Sequence, residues 1–365
     1  MPSEAAPPSP LKDWFDEARY RAIARDLVGI APNFDERGFL KQVLEGLEDR
    51  SLMERMHHCA LALNEALPGS FRQQVRVLQK LVPKVGHEFV AIFLSDFVAT
   101  FGGGDFDFSL ESLRHFTVFG SAEFAVRPFI VADRDRALTT LLQWTRDTNE
   151  KVRRLASEGS RPRLPWGMRL TELVRDPSPT LLILEALKND DSLYVRRSVA
   201  NHFNDITKDH PERVLDSLED WDLEREHLRW IAKHACRTLI KRGHPRALKL
   251  FGFGRQAEVQ AELKASPRSL KLGDRLSLTA SITSTSSRVQ RLVVDYVVHY
   301  VKARGASAEK VFKWTEVDLP ARASLDLNKT QVIRDFTTRK HHAGRHRVEL
   351  QINGRRVAES AFVLK

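Results

Sequence analysis

The chain has 365 residues, 42% of them hydrophobic and 29% charged, a globular profile with room for about two domains. Its formal net charge is +10, and residues 265–365 hold 19 Lys+Arg against 9 Asp+Glu, so the whole surplus lies there and points to a polyanion, nucleic acid before a membrane surface. No run of about eighteen apolar residues exists, which excludes an apolar spanning helix, and two cysteines, Cys59 and Cys236, are too few for a disulfide framework or a zinc site and fit a reducing cytoplasm.

The first segment, "PSEAAPPSP", has neither a basic nor an apolar signal region, and residues 1–11 are expected to be a disordered leader. From about residue 35 to 252 the chain reads as helix after helix, with apolar residues at three- and four-residue spacing and short Pro-, Gly- or Asp-bearing connections. "NEKVRRLASEG" (Asn149 to Gly159) resembles "SLYVRRSVANH" (Ser192 to His202), with Val152 and Val195 43 residues apart. "FAVRPFIVAD" upstream and "RWIAKHACRTLI" downstream are fainter copies. Irregular repeats of this length, each a helix pair, imply a HEAT-like α-solenoid over residues 12–254. Its concave face would be lined by Arg127, Arg153, Arg154, Arg196 and Arg197.

After about Arg255 the pattern turns to β-branched and alternating. "RHRVELQINGRRVAESAFVLK" is a hairpin around Asn353-Gly354, the preferred pair for a type I′ turn. Six or seven short strands over residues 255–365 imply an antiparallel sandwich of immunoglobulin type. The basic stretch "TTRKHHAGRHR" before that hairpin offers Arg339, Lys340, Arg345 and Arg347 to phosphates. His341 and His342, read as strand neighbours, would point to opposite faces, so no metal site is expected.

The stretch Ser192 to Lys208 reads as a helix with two faces. Val195, Val199, Phe203 and Ile206 form the core side; Arg197, Asn201, Asn204, Asp205 and Lys208 form the other. By itself the polar side is a solvated face of i,i+4 pairs. Asp205 would then bridge to Lys208 or Arg197, Glu158 would pair with Arg154, Glu123 would favour a helix dipole, and Trp166 would pack under a Pro-rich loop. A carboxylate along a phosphate-binding track weakens binding, however, unless a cation develops at the site.

"AEFAVRPFI", "NEKVRRLASEGSRPRLPWG" and "SLYVRRSVANHFNDITKDHP" resemble the AlkC branch of the alkylpurine DNA glycosylases, built from HEAT-like repeats. The C-terminal hairpin resembles the Ig-like domain of one AlkC subgroup. The resemblance implies hydrolysis of the N-glycosidic bond of cationic N3-alkylated bases, such as 3-methyladenine and 3-methylcytosine, in duplex DNA, without base flipping and without a metal or organic cofactor. It implies a catalytic set of Asp205, Glu158, Glu123 and Trp166, with Arg154, Arg196, Arg197 and Lys208 as further phosphate contacts. A monomer acting in the bacterial cytoplasm, at the nucleoid and without a membrane, is expected. The competing reading is a HEAT-repeat DNA-binding scaffold without catalysis.

Overall fold

The computed structural model describes residues 10–254, 256–303, 305, 307–336 and 340–365; of the expected leader, residues 1–9 lie outside them, and so does Arg339. The helical part, after a short 3-10 turn at Leu11–Trp14, runs α1 (Glu17–Ile30), α2 (Glu36–Leu44), α3 (Leu52–Ala66), α4 (Phe71–Val85), α5 (Ile92–Phe101), α6 (Phe106–Phe116), α7 (Arg127–Ala132) and α8 (Arg134–Trp144). It continues with α9 (Glu150–Gly159), α10 (Thr171–Arg175), α11 (Ser178–Leu187), α12 (Leu193–Ile206), α13 (Pro211–Glu219), α14 (Glu226–Ala235), α15 (Arg237–Lys241) and α16 (Pro245–Leu250). No helix among the described residues is long and apolar enough to cross a membrane.

The helix starts are written in the sequence. Ser51 with Glu54, and Ser70 with Gln73, form capping boxes that satisfy otherwise orphaned N–H groups of α3 and α4. Asn149 and Ser192 cap α9 and α12, each accepting from the N–H two residues on. The internal repeat extends to its hydrogen bonds. Arg153 Nη1 donates to the carbonyls of Asp147 and Thr148, at 3.0 and 3.1 Å. Arg196 Nη1 donates to those of Asp190 and Asp191, at 2.7 and 2.9 Å, the same offsets 43 residues later. Arg153 also forks onto the Asp190 carboxylate, and Arg114 reaches the equivalent Asp147. Two arginine–aspartate pairs, Arg114 with Asp147 and Arg153 with Asp190, thus tie neighbouring repeats together.

This corrects the expectation that all five arginines line a concave surface. Arg127 is wholly buried, and Arg153 and Arg196 brace the turns before their own helices. The polar side of α12 is not a solvated face either. Asn204 and Asp205 are buried along with Val195, Val199, Phe203 and Ile206; Arg197 and Lys208 remain exposed.

The chain packs as two compact units. The first runs through Asp209 and includes Arg225–Ile231; the second comprises His210–Glu224 and Ala232–Lys365. The second unit holds α13, α15, α16 and eight strands among the described residues: β1 (Val259–Ser266), β2 (Ser269–Leu270), β3 (Arg275–Ser284), β4 (Gln290–Val301), β5 (Ser307–Leu319), β6 (Ser324–Val332), β7 (Gly344–Ile352) and β8 (Arg355–Leu364). One sheet has the order β1-β3-β6 and the other β2-β8-β7-β4-β5, antiparallel except for β2 beside β8. Their facing sides bury Leu276, Leu278, Ile282, Val294, Val298, Val348 and Leu350 in one sandwich core.

The hairpin turn is of the expected kind, with φ 48° at Asn353 and 78° at Gly354. Asn353 is buried; its amide oxygen accepts from Val293 N–H at 2.9 Å and its amide nitrogen donates to Gly254 O at 2.9 Å. Gly354 lies so close to Gly243 that a Cβ on it would overlap the Gly243 Cα, so glycine is required at this turn for space as well as for φ. His341 and His342 precede β7 instead of lying on it, so the alternating-face argument does not apply to them. His341 Nδ1 lies 3.3 Å from Asp335 Oδ1.

Candidate active site

Three carboxylates separated in sequence come together in the first unit through two arginines. Glu158 stands in the last turn of α9 and Asp205 in the last turn of α12; both are buried. Helices α9 and α12 pack against each other, but the 43-residue offset aligns Glu158 with Asn201, so the two acids occupy different positions of matching helices. Between them lies Arg161, just past the end of α9. Its Nη1 donates to Glu158 Oε1 at 2.6 Å and its Nε to Asp205 Oδ2 at 2.8 Å. The second oxygen of each acid is also held. Ser198 Oγ donates to Glu158 Oε2 at 2.6 Å, and Lys208 Nζ donates to Asp205 Oδ1 at 2.9 Å.

Glu123 lies in the turn before α7, where it pairs with Arg154 and accepts from Ser121 Oγ at 2.8 Å. Arg154 also stands 3.5 Å from Glu158 and lies over the Tyr194 ring at 4.9 Å. Burial opposes the charge of Arg154 and of Arg161. The neighbouring carboxylates outweigh it, and both guanidiniums are held above their ordinary range. Arg154 is therefore committed inside the cluster and is not a free phosphate contact. The ion pairs expected as bland alternatives, Asp205 with Lys208 and Glu158 with Arg154, do form.

An open pocket of about 390 Å³ lies against this cluster. Glu123, Glu158, Arg161, Trp166 and Tyr194 line it, together with apolar side chains from α3 and the start of α5. Asp205 is one ion pair further back, reaching the pocket wall through Arg161. Trp166 does not pack under the loop: it is 74% exposed, at φ 65°. A bulky side chain rarely adopts that left-handed conformation, and such strain collects at functional sites.

Of the remaining expected DNA contacts, Arg197 and Lys208 are exposed in the first unit. In the second, Lys340 is exposed, and Arg345 and Arg347 are exposed on one face of β7, two residues apart. Sequence reasoning missed Arg161 and Ser198. The "SRPRLP" run gave Arg161 no helical period, and a lone serine such as Ser198 carries no signal of its own. Among the described residues no group of three or more side chains is arranged to hold a metal ion.

His202 lies under the cluster on α12, wholly buried, with Nδ1 donating to Ser157 O at 3.0 Å. Burial, aided by the charge on Arg161, pushes its imidazole down to about 3. The unfolded chain, titrating near 6.5, then binds more protons than the folded one between about pH 6.5 and 3. The stability supplied by the neutral ring is complete above that window and falls with pH inside it, by up to about 1.4 kcal/mol per pH unit. Urea unfolding of the wild type and His202→Gln at pH 7.5 and 5 is expected to show a loss larger by about 2 kcal/mol in the wild type. Equal losses would mean that His202 is not held neutral.

Residues 259–365 match the model of a family described as the uncharacterised protein YhaZ, C-terminal Ig-like domain. Along nearly its whole length the chain is similar to the uncharacterized protein YhaZ of Bacillus subtilis (strain 168), 38% identical over 94% of this chain and 96% of that protein. Among solved structures it is similar to the Pseudomonas fluorescens alkylpurine DNA glycosylase AlkC bound to DNA containing an abasic site analog. That likeness has a TM-score of 0.94 and 47% identity over 97% of this chain and 99% of that one.

Proposed function

This chain belongs to the AlkC family of alkylpurine DNA glycosylases, and from that membership and the buried carboxylate cluster we propose that it hydrolyses the N-glycosidic bond of cationic N3-alkylated bases, 3-methyladenine and 3-methylcytosine, in duplex DNA. The observation that carries the chemistry is the pair Glu158 and Asp205, shared by one buried arginine beside an exposed tryptophan.

An N3-alkylated base is already cationic and leaves readily. When the C1′–N bond breaks, its electron pair goes to the base and cancels that charge, while positive charge develops at C1′. The protein has to stabilise that sugar cation and supply water, and preoriented carboxylates suit both tasks. Glu158 and Asp205 together take these roles: water bonds to C1′ as its proton passes to a carboxylate. Glu123 adds negative charge on the pocket wall. Trp166 lays its indole face against the deoxyribose or the lesion, a cation–π contact of about 0.5–2 kcal/mol. Its projection into solvent supports contact with a base that stays in the stack. Arg197 and Lys208, and on the β-sandwich Lys340, Arg345 and Arg347, then serve as phosphate contacts. The product is an abasic site, the first intermediate of base-excision repair, and the enzyme acts as a monomer on chromosomal DNA in the cytoplasm.

The test is release of 3-methyladenine and 3-methylcytosine, followed separately, from methylated duplex DNA. Wild type is expected to release both, and Asp205→Asn to lose at least about 100-fold in single-turnover rate while still binding duplex. Binding by both proteins without release by either would leave a DNA-binding scaffold.

A further inference from the structure

The loop between α9 and α10 carries both Arg161 and Trp166. Within it, Gly167 N–H donates to Leu164 O and Leu170 N–H to Pro162 O, each at 3.2 Å. These bonds shape the loop but do not anchor it to the rest of the unit. Arg161 and Arg163 tie the first half of the loop to Asp205 and Asp209, and its two ends are held by Arg127, the first residue of α7 and wholly buried. Its Nη1 donates to Gly159 O at 2.8 Å, and its Nε and Nη2 both donate to Met168 O, at 2.8 and 2.6 Å. Those two carbonyls are the two roots of the loop.

This is an unusual use of a buried charge. A guanidinium taken out of water is ordinarily paired with a carboxylate. Glu123, Glu158 and Asp205 are near enough to influence the charge on Arg127, yet the hydrogen bonds above end on neutral carbonyls. Burial pushes the group down to about 10, which leaves it charged at neutral pH. The loop also packs on the fork itself: a Cβ on Gly167 would stand 3.4 Å from Arg127 Nε and 3.1 Å from Leu164 Cδ2.

We propose that Arg127 is a positioning residue for Trp166: its planar fork fixes the carbonyls of Gly159 and Met168 relative to each other and so holds the strained tip that presents the indole at the pocket. The role rests on the reading of Trp166 as a contact to the sugar or lesion. Arginine suits it because its donors are set in one rigid plane, whereas a lysine ammonium is a single point that cannot serve both carbonyls as the fork does.

The experiment uses the full chain carrying Arg127→Lys, Arg127→Met or Gly167→Ala, the last crowding Leu164 in the loop and touching the fork without removing the charge. Folding is checked by circular dichroism. Acrylamide quenching of Trp166 is isolated from the other five tryptophans by subtracting the signal of the matching Trp166→Phe protein. Single-turnover release of 3-methyladenine is then measured with and without Trp166→Ala. The expected result is altered Trp166 quenching in every folded variant. Arg127→Lys should also lose about ten- to a hundredfold in excision rate, shrinking to about twofold or less once Trp166 is alanine. Unchanged quenching, or penalties that multiply in the double variant, would overturn the assignment. Full activity of Trp166→Ala alone would instead refute the role given to Trp166, and quenching would still decide whether Arg127 holds the loop.

Discussion

Glu158→Gln is expected to slow single-turnover release of 3-methyladenine by about 100- to 1000-fold, with duplex binding kept or improved. The magnitude follows from what the group faces. Glu158 is the member of the Glu158–Asp205 pair that lines the pocket, and its orientation is fixed before any substrate arrives. A charge held in place stabilises a developing cation without having to reorganise. Glutamine keeps the shape and an acceptor for Arg161, but not the charge. The fold should survive, because Arg161 retains Asp205 and Arg154 retains Glu123. Binding should not weaken, because removing a negative charge near a phosphate track favours DNA. Rate and affinity moving in opposite directions are the signature to look for. A parallel loss of both would mean that the substitution damaged the fold, and an unchanged rate would remove Glu158 from the chemistry.

Features set by neighbours in sequence were legible before the structure. The repeat at Val152 and Val195 was visible because each copy must satisfy the same local groups, down to Arg153 and Arg196 bonding carbonyls five and six residues behind. The Asn353-Gly354 turn was legible because few residue pairs tolerate two positive φ values. Eight strands form among the described residues where six or seven were expected, and β1 is hard to read because its alternation is shallow: only Leu263 and Ala265 are buried. The burial of Asp205 was misread for a different reason. Helical periodicity says which residues share a side, not what covers that side, and here the cover is Arg161, 44 residues away. Trp166 carried no sign of its φ, since left-handed backbone is normally read from glycine or asparagine. A carboxylate on a cationic track was visible in the residues themselves, but its catalytic role rested on the resemblance to AlkC. Residue type and spacing alone favoured ordinary ion pairs, and those pairs are present.

Arg161→Met is expected to be the most destabilising single change in the cluster, costing about 3–5 kcal/mol. A buried ion pair adds little net stability over an apolar replacement of both partners, but removing one partner strands the other in a poor solvent. Arg161 is shared by two buried acids, so its loss strands two at once. The remaining partners compensate unequally. Glu158 keeps Ser198 and a longer contact to Arg154, whereas Asp205 is left with Lys208, whose side chain is 40% exposed and screened by solvent. Adding Asp205→Asn to Arg161→Met should therefore restore part of the lost stability, since the amide carries no stranded charge. Urea unfolding of the wild type, both single variants and the double variant gives the coupling directly. A double variant more stable than Arg161→Met alone would show that the cost lies in the stranded carboxylate. Strict additivity would mean that Arg161 and Asp205 do not interact in solution, and the shared bridge that orients Glu158 would have to be abandoned.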